Sequence, residues 1–181
     1  MESEFSPMQA IKRRFFAMRN GVVADSLRRA GSPYRIIFGL NLPQIKEIAA
    51  EFAPHAPMLA PALWANTSTR ESRITALLMY ASLQVDDAML QRLIDETDEQ
   101  ELADTLAMRF LRTHAKRLEI LDSLMASTSP IKHYLALRLA YSLVDDDSLR
   151  PVALKIAREE IARNDAMTLS LARRLAYDAD F

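Results

Sequence analysis

The apolar residues of this 181-residue chain recur at intervals of three and four positions, the spacing that buries one face of a helix. In residues 98–113 the apolar set is Leu102, Ala103, Leu106, Ala107, Phe110 and Leu111. No segment shows the strict alternation of apolar and polar residues that is typical of a half-buried strand. The pattern predicts helices at residues 7–20, 22–30, 43–53, 57–66, 69–82, 86–96, 98–113, 115–126, 130–143, 148–163 and 165–178.

Proline and short polar residues mark where these helices begin. Ser6-Pro7, Asn41-Leu42-Pro43 and Ser129-Pro130 each place a capping residue and a proline before an apolar-periodic stretch. Proline is accepted there because an amide hydrogen in the first turn has no helical partner to lose. The segments Ser68–Glu71 and Thr97–Gln100 have the spacing of a capping box, in which two side chains bond the free amides of the first turn. We therefore predict an all-α protein.

The connections between the predicted helices are only a few residues long, which predicts that successive helices are antiparallel neighbours. Each such pair is too short to bury its apolar stripe alone, so the pairs must stack on one another. The pattern favours a curved stack of helix pairs, a solenoid, over a four-helix bundle, which needs fewer and longer helices.

Composition narrows the possible functions. The chain has three glycines, too few for the turns and phosphate loops of Rossmann and P-loop proteins, and no cysteine for a disulfide, a thiolate metal site or a nucleophile. His55, His114 and His133 are not spaced as a helical metal site, so we expect neither metal nor cofactor. Residues 1–7 lack a signal pattern and no long apolar run occurs, so we expect a cytoplasmic protein without a membrane partner.

Charge is distributed unevenly although the formal net charge is only -1. Residues 1–35 hold seven basic and three acidic side chains, whereas residues 84–104 hold eight acids and one arginine. Further basic clusters are Arg70 with Arg73, and Arg109, Arg112, Lys116 and Arg117. Each cluster is either the solvated face of a helix or part of a concave surface that binds an anion.

Two side-chain arrangements are candidates for chemistry. Asp104 lies about 160° around its helix from Leu106, so it faces away from the apolar stripe. Tyr134, Arg138 and Tyr141 form a line at helical spacing beside the buried stripe of residues 130–143. This line is either the margin of the core or a surface where rings stack on bases and the arginine holds a phosphate.

The segment from Leu59 to Leu77 resembles the signature of a known family. It contains a Leu63-Trp64 pair, a short turn and a helix start with Arg70-Glu71 and Arg73. The segment is similar to that of the HEAT-like-repeat DNA alkylation repair family, the AlkD-type alkylpurine DNA glycosylases. Residues 38–49 and 102–107 resemble further elements of the family, and the likeness covers about residues 34–143.

The resemblance implies a right-handed curved solenoid of HEAT-like repeats, an α-α superhelix, forming one domain over residues 1–181 of a shortened and divergent member. In the family the alkylated purine is already cationic and leaves without a general acid, while a carboxylate stabilises the oxocarbenium-like sugar. That carboxylate corresponds to Asp104. The family's tryptophan and arginine beside it correspond to Gln100 and Tyr134, and Arg138, one turn on, partly replaces the arginine.

We therefore expect binding of duplex DNA in a concave basic groove, with Asp104 as the catalytic carboxylate. The groove residues would be Arg70, Arg73, Arg109, Arg112, Tyr134 and Arg138. An enzyme of this type would be an alkylpurine DNA N-glycosylase, and the replaced neighbours of Asp104 argue against excision. The alternative is a non-catalytic helical-repeat scaffold that binds a protein partner.

Overall fold

The computed structural model describes residues 6–180, and within them it is helical with no β-strand. The helices are α1 Pro7–Ala17, α2 Gly21–Arg29, α3 Leu42–Glu51, α4 Ala56–Trp64, α5 Arg70–Ser82, α6 Asp87–Asp95, α7 Gln100–Arg109, α8 Arg117–Met125, α9 Pro130–Tyr141, α10 Arg150–Arg163 and α11 Leu169–Ala179. Short 3-10 turns occupy Ala53–His55 and Leu111–Thr113. The all-α prediction is confirmed.

The described range, residues 6–180, contains no helix that combines the length and the apolar character needed to span a bilayer. It also holds no group of three or more histidine, aspartate or glutamate side chains placed to bind a metal ion. Residues 1–5, which belong to the segment without a signal pattern, lie outside the described range.

The predicted helix starts at Ser6 and Asn41 are confirmed as capping boxes. The Ser6 hydroxyl accepts from the Gln9 amide at 3.3 Å, and the Gln9 side chain accepts in return from the Ser6 amide. Asn41 and Gln44 make the same exchange, with both bonds at 2.9 Å. These contacts satisfy amides that the first turn leaves without helical partners. Ser129 also precedes its helix as predicted, although its side chain makes no capping bond.

The two other predicted capping boxes are wrong. The Glu71 carboxylate bonds the backbone of residues 38–40 instead of Ser68, because α5 is buried against that segment. At the start of α7 the cap is Glu99, whose carboxylate accepts from the Glu101 and Leu102 amides at 2.8 and 2.7 Å. The Thr97 hydroxyl donates instead to the carbonyl of the preceding helix at 2.7 Å.

The chain divides into two compact units, the first ending at Asp86 and the second beginning at Asp87. The first contains α1 to α5, with α5 packed against both α3 and α4. Most of α5 is buried around its whole circumference, including Arg70, Glu71, Ser72 and Arg73. A helix with polar residues buried on every side is a central element rather than a one-sided member of a stack.

The Glu71 carboxylate joins α5 to the segment that precedes α3. Its Oε1 accepts from the amides of Gly39 at 3.0 Å and Leu40 at 3.3 Å, and its Oε2 accepts from the Phe38 amide at 3.0 Å. Arg70 Nη1 donates to the same Oε1 at 2.8 Å and to the Leu40 carbonyl at 2.9 Å. Glu71 is fully buried, so these donors replace the water that the charge has lost.

Gly39 lets this segment approach the start of α2. Its φ of 80° lies in the left-handed region, and an added Cβ would stand 2.1 Å from the carbonyl oxygen of Asn20. That oxygen belongs to the N-cap of α2 and cannot move aside without breaking the first turn. A side chain at position 39 is therefore excluded by backbone strain and by contact.

The second unit is arranged around α9, which contacts α7, α8, α10 and α11. Its buried side chains include Leu135, Ala136, Leu139 and Ala140. Consecutive helices pack as pairs in α8 with α9 and in α10 with α11, whereas α7 makes its main helix contact with α9. The contact of α7 with α9 brings the helix that carries Asp104 against the helix that carries the predicted tyrosine line.

Replacing Glu71 with glutamine should destabilise the first unit by about 3 kcal/mol, because the buried Arg70 loses its carboxylate and the new amide hydrogens face backbone donors. The free energy of unfolding can be measured in urea through the fluorescence of Trp64, the chain's single tryptophan, which is 1 % exposed. The matched control is Glu47→Gln, at a carboxylate whose side chain is 61 % exposed. Equal losses in the two variants would contradict the assigned role of Glu71.

Candidate functional site

Asp104, Tyr134 and Arg138 lie together between α7 and α9. The Tyr134 hydroxyl donates to Asp104 Oδ1 at 3.1 Å, and Arg138 Nε lies 2.6 Å from the same oxygen. The two α9 residues are one turn apart, so both reach one point on the facing helix. The structure therefore brings together three of the residues that the sequence pattern selected, all within the second unit.

Asp104 is a partly buried carboxylate under opposing influences. Burial raises the pKa of this carboxyl, while the Arg138 charge and the Tyr134 hydrogen bond lower it and the Glu101 charge raises it. The side chain is still 39 % exposed, so a ligand can reach it. The ion pair with Arg138 offsets much of the negative charge that this carboxylate would present to a ligand.

The surroundings of Tyr134 disfavour the charged phenolate form of its side chain. Burial, followed by the charge and hydrogen bond of Asp104, raises the pKa of Tyr134 to about 12, with Glu99 adding to the rise and Arg138 opposing it. Burial also raises the pKa of Glu99, against the two backbone amides that it caps. Three carboxylates, those of Glu99, Glu101 and Asp104, therefore act on this site together with one guanidinium.

A buried polar network holds α9 on a face different from the one that carries Tyr134. His133 and Glu160 are each 1 % exposed, and His133 Nδ1 lies 2.6 Å from Glu160 Oε1. His133 Nε2 lies 2.7 Å from the Ser127 carbonyl oxygen and 3.0 Å from Arg163 Nη2. The imidazole thus links α9 to α10 and to the turn after α8, which gives His133 a structural role.

A second tyrosine–carboxylate pair follows on the same line of α9. The Tyr141 hydroxyl donates to Asp178 Oδ2 of α11, and burial and this bond raise the pKa of Tyr141 to about 12. The position of Tyr141 was expected from helical spacing. Its partner was not, because Asp178 is 37 residues away in sequence and no local pattern relates the two.

Arg109 and Arg112 are exposed in the second unit, at the end of α7 and in the 3-10 turn that follows it. Arg109 lies five residues after Asp104, about 140° around the helix, so the two side chains occupy different faces of α7. These arginines are therefore available to solvent without being part of the Asp104 cluster.

The prediction that Arg70 and Arg73 line a DNA-binding groove needs correction, because both side chains are buried. They are 4 % and 2 % exposed. Arg70 binds Glu71, while the Arg73 guanidinium lies 3.7 Å from the centre of the Trp64 ring and Arg73 Nη1 donates to the Trp64 carbonyl at 3.2 Å. Both charges are used inside the first unit, where a DNA phosphate cannot reach them.

Comparison with known proteins identifies one family. A family model described as DNA alkylation repair enzyme matches residues 11–176. The match includes residues of both compact units and most of the chain. Neither the curated proteins nor the solved structures contain a match to this chain.

Asp104 accepts the hydrogen bond of the Tyr134 hydroxyl, so the titration of Tyr134 tests whether the two side chains are in contact. Asp104→Asn keeps an acceptor oxygen but removes the charge, so the pKa of Tyr134 should fall from about 12 towards 10 without reaching it, because burial still raises it. The measurement is the ultraviolet absorbance of the phenolate against pH, with Tyr134→Phe to assign the signal.

Asp178→Asn is the matched control for this titration, since it makes the same change beside Tyr141. It should lower the pKa of Tyr141 and leave that of Tyr134 in place. An unchanged Tyr134 titration in Asp104→Asn would show that the carboxylate does not bond the phenol in solution.

Proposed function

This chain belongs to the family of DNA alkylation repair enzymes, and we propose that it recognises alkylated purines in duplex DNA through the Asp104 cluster. The observation that carries the proposal is the convergence of Asp104, Tyr134 and Arg138 between α7 and α9. Family membership supports alkylated DNA as the substrate class. The charge of the cluster supports the cationic base as the part of the substrate that binds there.

The charge around Asp104 fits a cation. A purine alkylated on a ring nitrogen carries a positive charge, and Glu99, Glu101 and Asp104 contribute negative charge that favours a cation at this site. Tyr134 adds a ring face that can stack on a base or a sugar. An unmodified neutral purine lacks the charge, so the cluster distinguishes the lesion electrostatically.

Excision would proceed by breaking the bond between C1′ of the sugar and the purine nitrogen. The bonding electron pair leaves with the purine and cancels its charge, the sugar becomes oxocarbenium-like, and water adds to C1′ and releases a proton. A carboxylate beside C1′ favours this step by stabilising the cation that develops there. Asp104 is the residue proposed for that position.

The ion pair between Arg138 and Asp104 is expected to slow excision. A guanidinium nitrogen 2.6 Å from Asp104 Oδ1 cancels part of the field that would stabilise the sugar cation. Recognition of a cationic base is less affected, because Glu99 and Glu101 contribute to it as well. We propose recognition of the lesion as the main function, with slow excision as an alkylpurine DNA N-glycosylase.

The second candidate function is a scaffold that binds a protein partner without catalysis. The formal net charge of -1 and the ion pair of Asp104 with Arg138 favour this function, since neither feature is specific to a DNA-binding protein. An electrophoretic shift on duplex DNA over a series of salt concentrations separates the two candidates. Binding to DNA should weaken steeply as salt rises, because each neutralised phosphate releases counterions. No shift at low salt would favour the scaffold.

Release of methylated purines from alkylated duplex DNA tests the role of Asp104. We expect slow release by the wild-type protein and a loss of about tenfold or more in Asp104→Asn, since the remaining amide has no charge to stabilise the sugar. The control is Asp178→Asn, which alters the other tyrosine-bound carboxylate and should leave release unchanged. Equal release by wild type and Asp104→Asn would remove the catalytic part of the proposal.

A further inference from the structure

Positive charge is concentrated at the start of the first unit. Residues 6–35 contain seven basic side chains and a single acid, Asp25. Arg14 is paired with Glu47 and Glu51 at 3.2 and 2.7 Å. The remaining basic residues of this stretch are exposed, namely Lys12, Arg13, Arg19, Arg28, Arg29 and Arg35. A chain with a net charge of -1 therefore carries a strongly cationic surface on α1, α2 and the segment that follows.

A concavity of about 480 Å³ lies within this surface. Arg19 and Arg28 line it together with the apolar residues Ala17, Ala24 and Ile37. Gly21 also lines it, and its missing side chain leaves open space at that point. Its volume is within the range of ligand-binding pockets, and its lining combines cationic donors with apolar surface.

The two arginines are partly preorganised. The Arg19 guanidinium stacks 3.9 Å from the centre of the exposed Phe16 ring, and its Nη1 donates to the Phe16 carbonyl at 2.9 Å. Arg28 Nη1 bonds Asp25 at 2.9 Å one turn away on the same helix. Each of these hydrogen bonds uses one nitrogen of a guanidinium that has five N–H donors, so donors remain for an anion. Fixing Arg19 on Phe16 lowers the entropy cost of binding.

We infer that the concavity lined by Arg19 and Arg28 binds a phosphodiester of the DNA backbone. The inference depends on the proposed function for the identity of the polyanion. The Asp104 cluster is acidic and suits a cationic base, so it contributes little attraction for the phosphates of DNA. Affinity for DNA comes mainly from phosphate contacts, which need cationic side chains. The α1–α2 surface supplies them, and the apolar lining suits the adjoining sugar.

The test measures binding of unmodified duplex DNA by the full chain over a series of salt concentrations. Arg19→Gln with Arg28→Gln should weaken binding at low salt and make the slope of log affinity against log salt shallower by about 2, one for each lost phosphate contact. Arg19→Lys with Arg28→Lys should restore the slope, since lysine keeps the charge. The matched control is Lys155→Gln with Arg158→Gln, two exposed cations of α10 that should leave the slope unchanged.

The outcomes separate this inference from the proposed function. If wild type binds DNA and the Arg19/Arg28 variant matches the control, the inference is overturned while lesion recognition stands. If the variant loses the slope although no purine is released, the inference holds without catalysis. If wild type binds phosphatidylglycerol vesicles through these arginines but not DNA, or binds neither, both the inference and the DNA proposal are overturned. Circular dichroism confirms that each variant is folded.

Discussion

The buried carboxylate of Glu71 is the contact on which the first unit depends. The three consecutive backbone amides from Phe38 to Leu40 donate to this carboxylate and not to a helical carbonyl. Leaving these amides without an acceptor in the interior would be costly. Arg70 balances the charge of the carboxylate, and Gly39 provides the backbone conformation that aims the amides. The motif that carries the family resemblance here thus holds α5 in place. Its arginines and its glutamate stabilise the fold, and the proposed chemistry lies on other helices.

The second unit also contains a buried polar contact, and this one positions the residues of the candidate site. The contact of His133 with Glu160 fixes α9 relative to α10 while α9 is packed by apolar residues against its other neighbours. Because Tyr134 follows His133 by one residue, a fixed His133 also fixes the direction of Tyr134, about 100° further around the helix. Arg138 lies one turn beyond. The position of the two groups that bond Asp104 is therefore determined by a buried contact on another face of α9, and apolar packing alone would leave the helix freer to rotate.

Sequence patterns predicted the helices well because proline and polar caps act locally. The caps at Ser6 and Asn41 involve residues three positions apart, and such contacts can be read from the chain. The cluster of Asp104 with Tyr134 and Arg138 was also within reach, since helical spacing put Tyr134 and Arg138 beside a buried stripe and the family resemblance selected Asp104. The assignment of Arg70 and Arg73 failed because an arginine on a buried helix has the same sequence pattern as one on an exposed helix. Only the partners, Glu71 and Trp64, distinguish them, and the backbone amides that donate to Glu71 lie over thirty positions away.

The formal net charge of -1 averages over regions of opposite charge. A protein that recognises a cationic base in DNA has to attract a polyanion and also present negative charge to one group within it. These requirements conflict if they are met in one place, because a carboxylate beside the phosphates repels them and an arginine beside the base cancels the carboxylate. Under the proposed function, separation along the chain resolves the conflict, with the cations on α1 and α2 and the carboxylates on and just before α7. Arg138 is the exception, and its contact with Asp104 is the reason for expecting recognition to exceed excision.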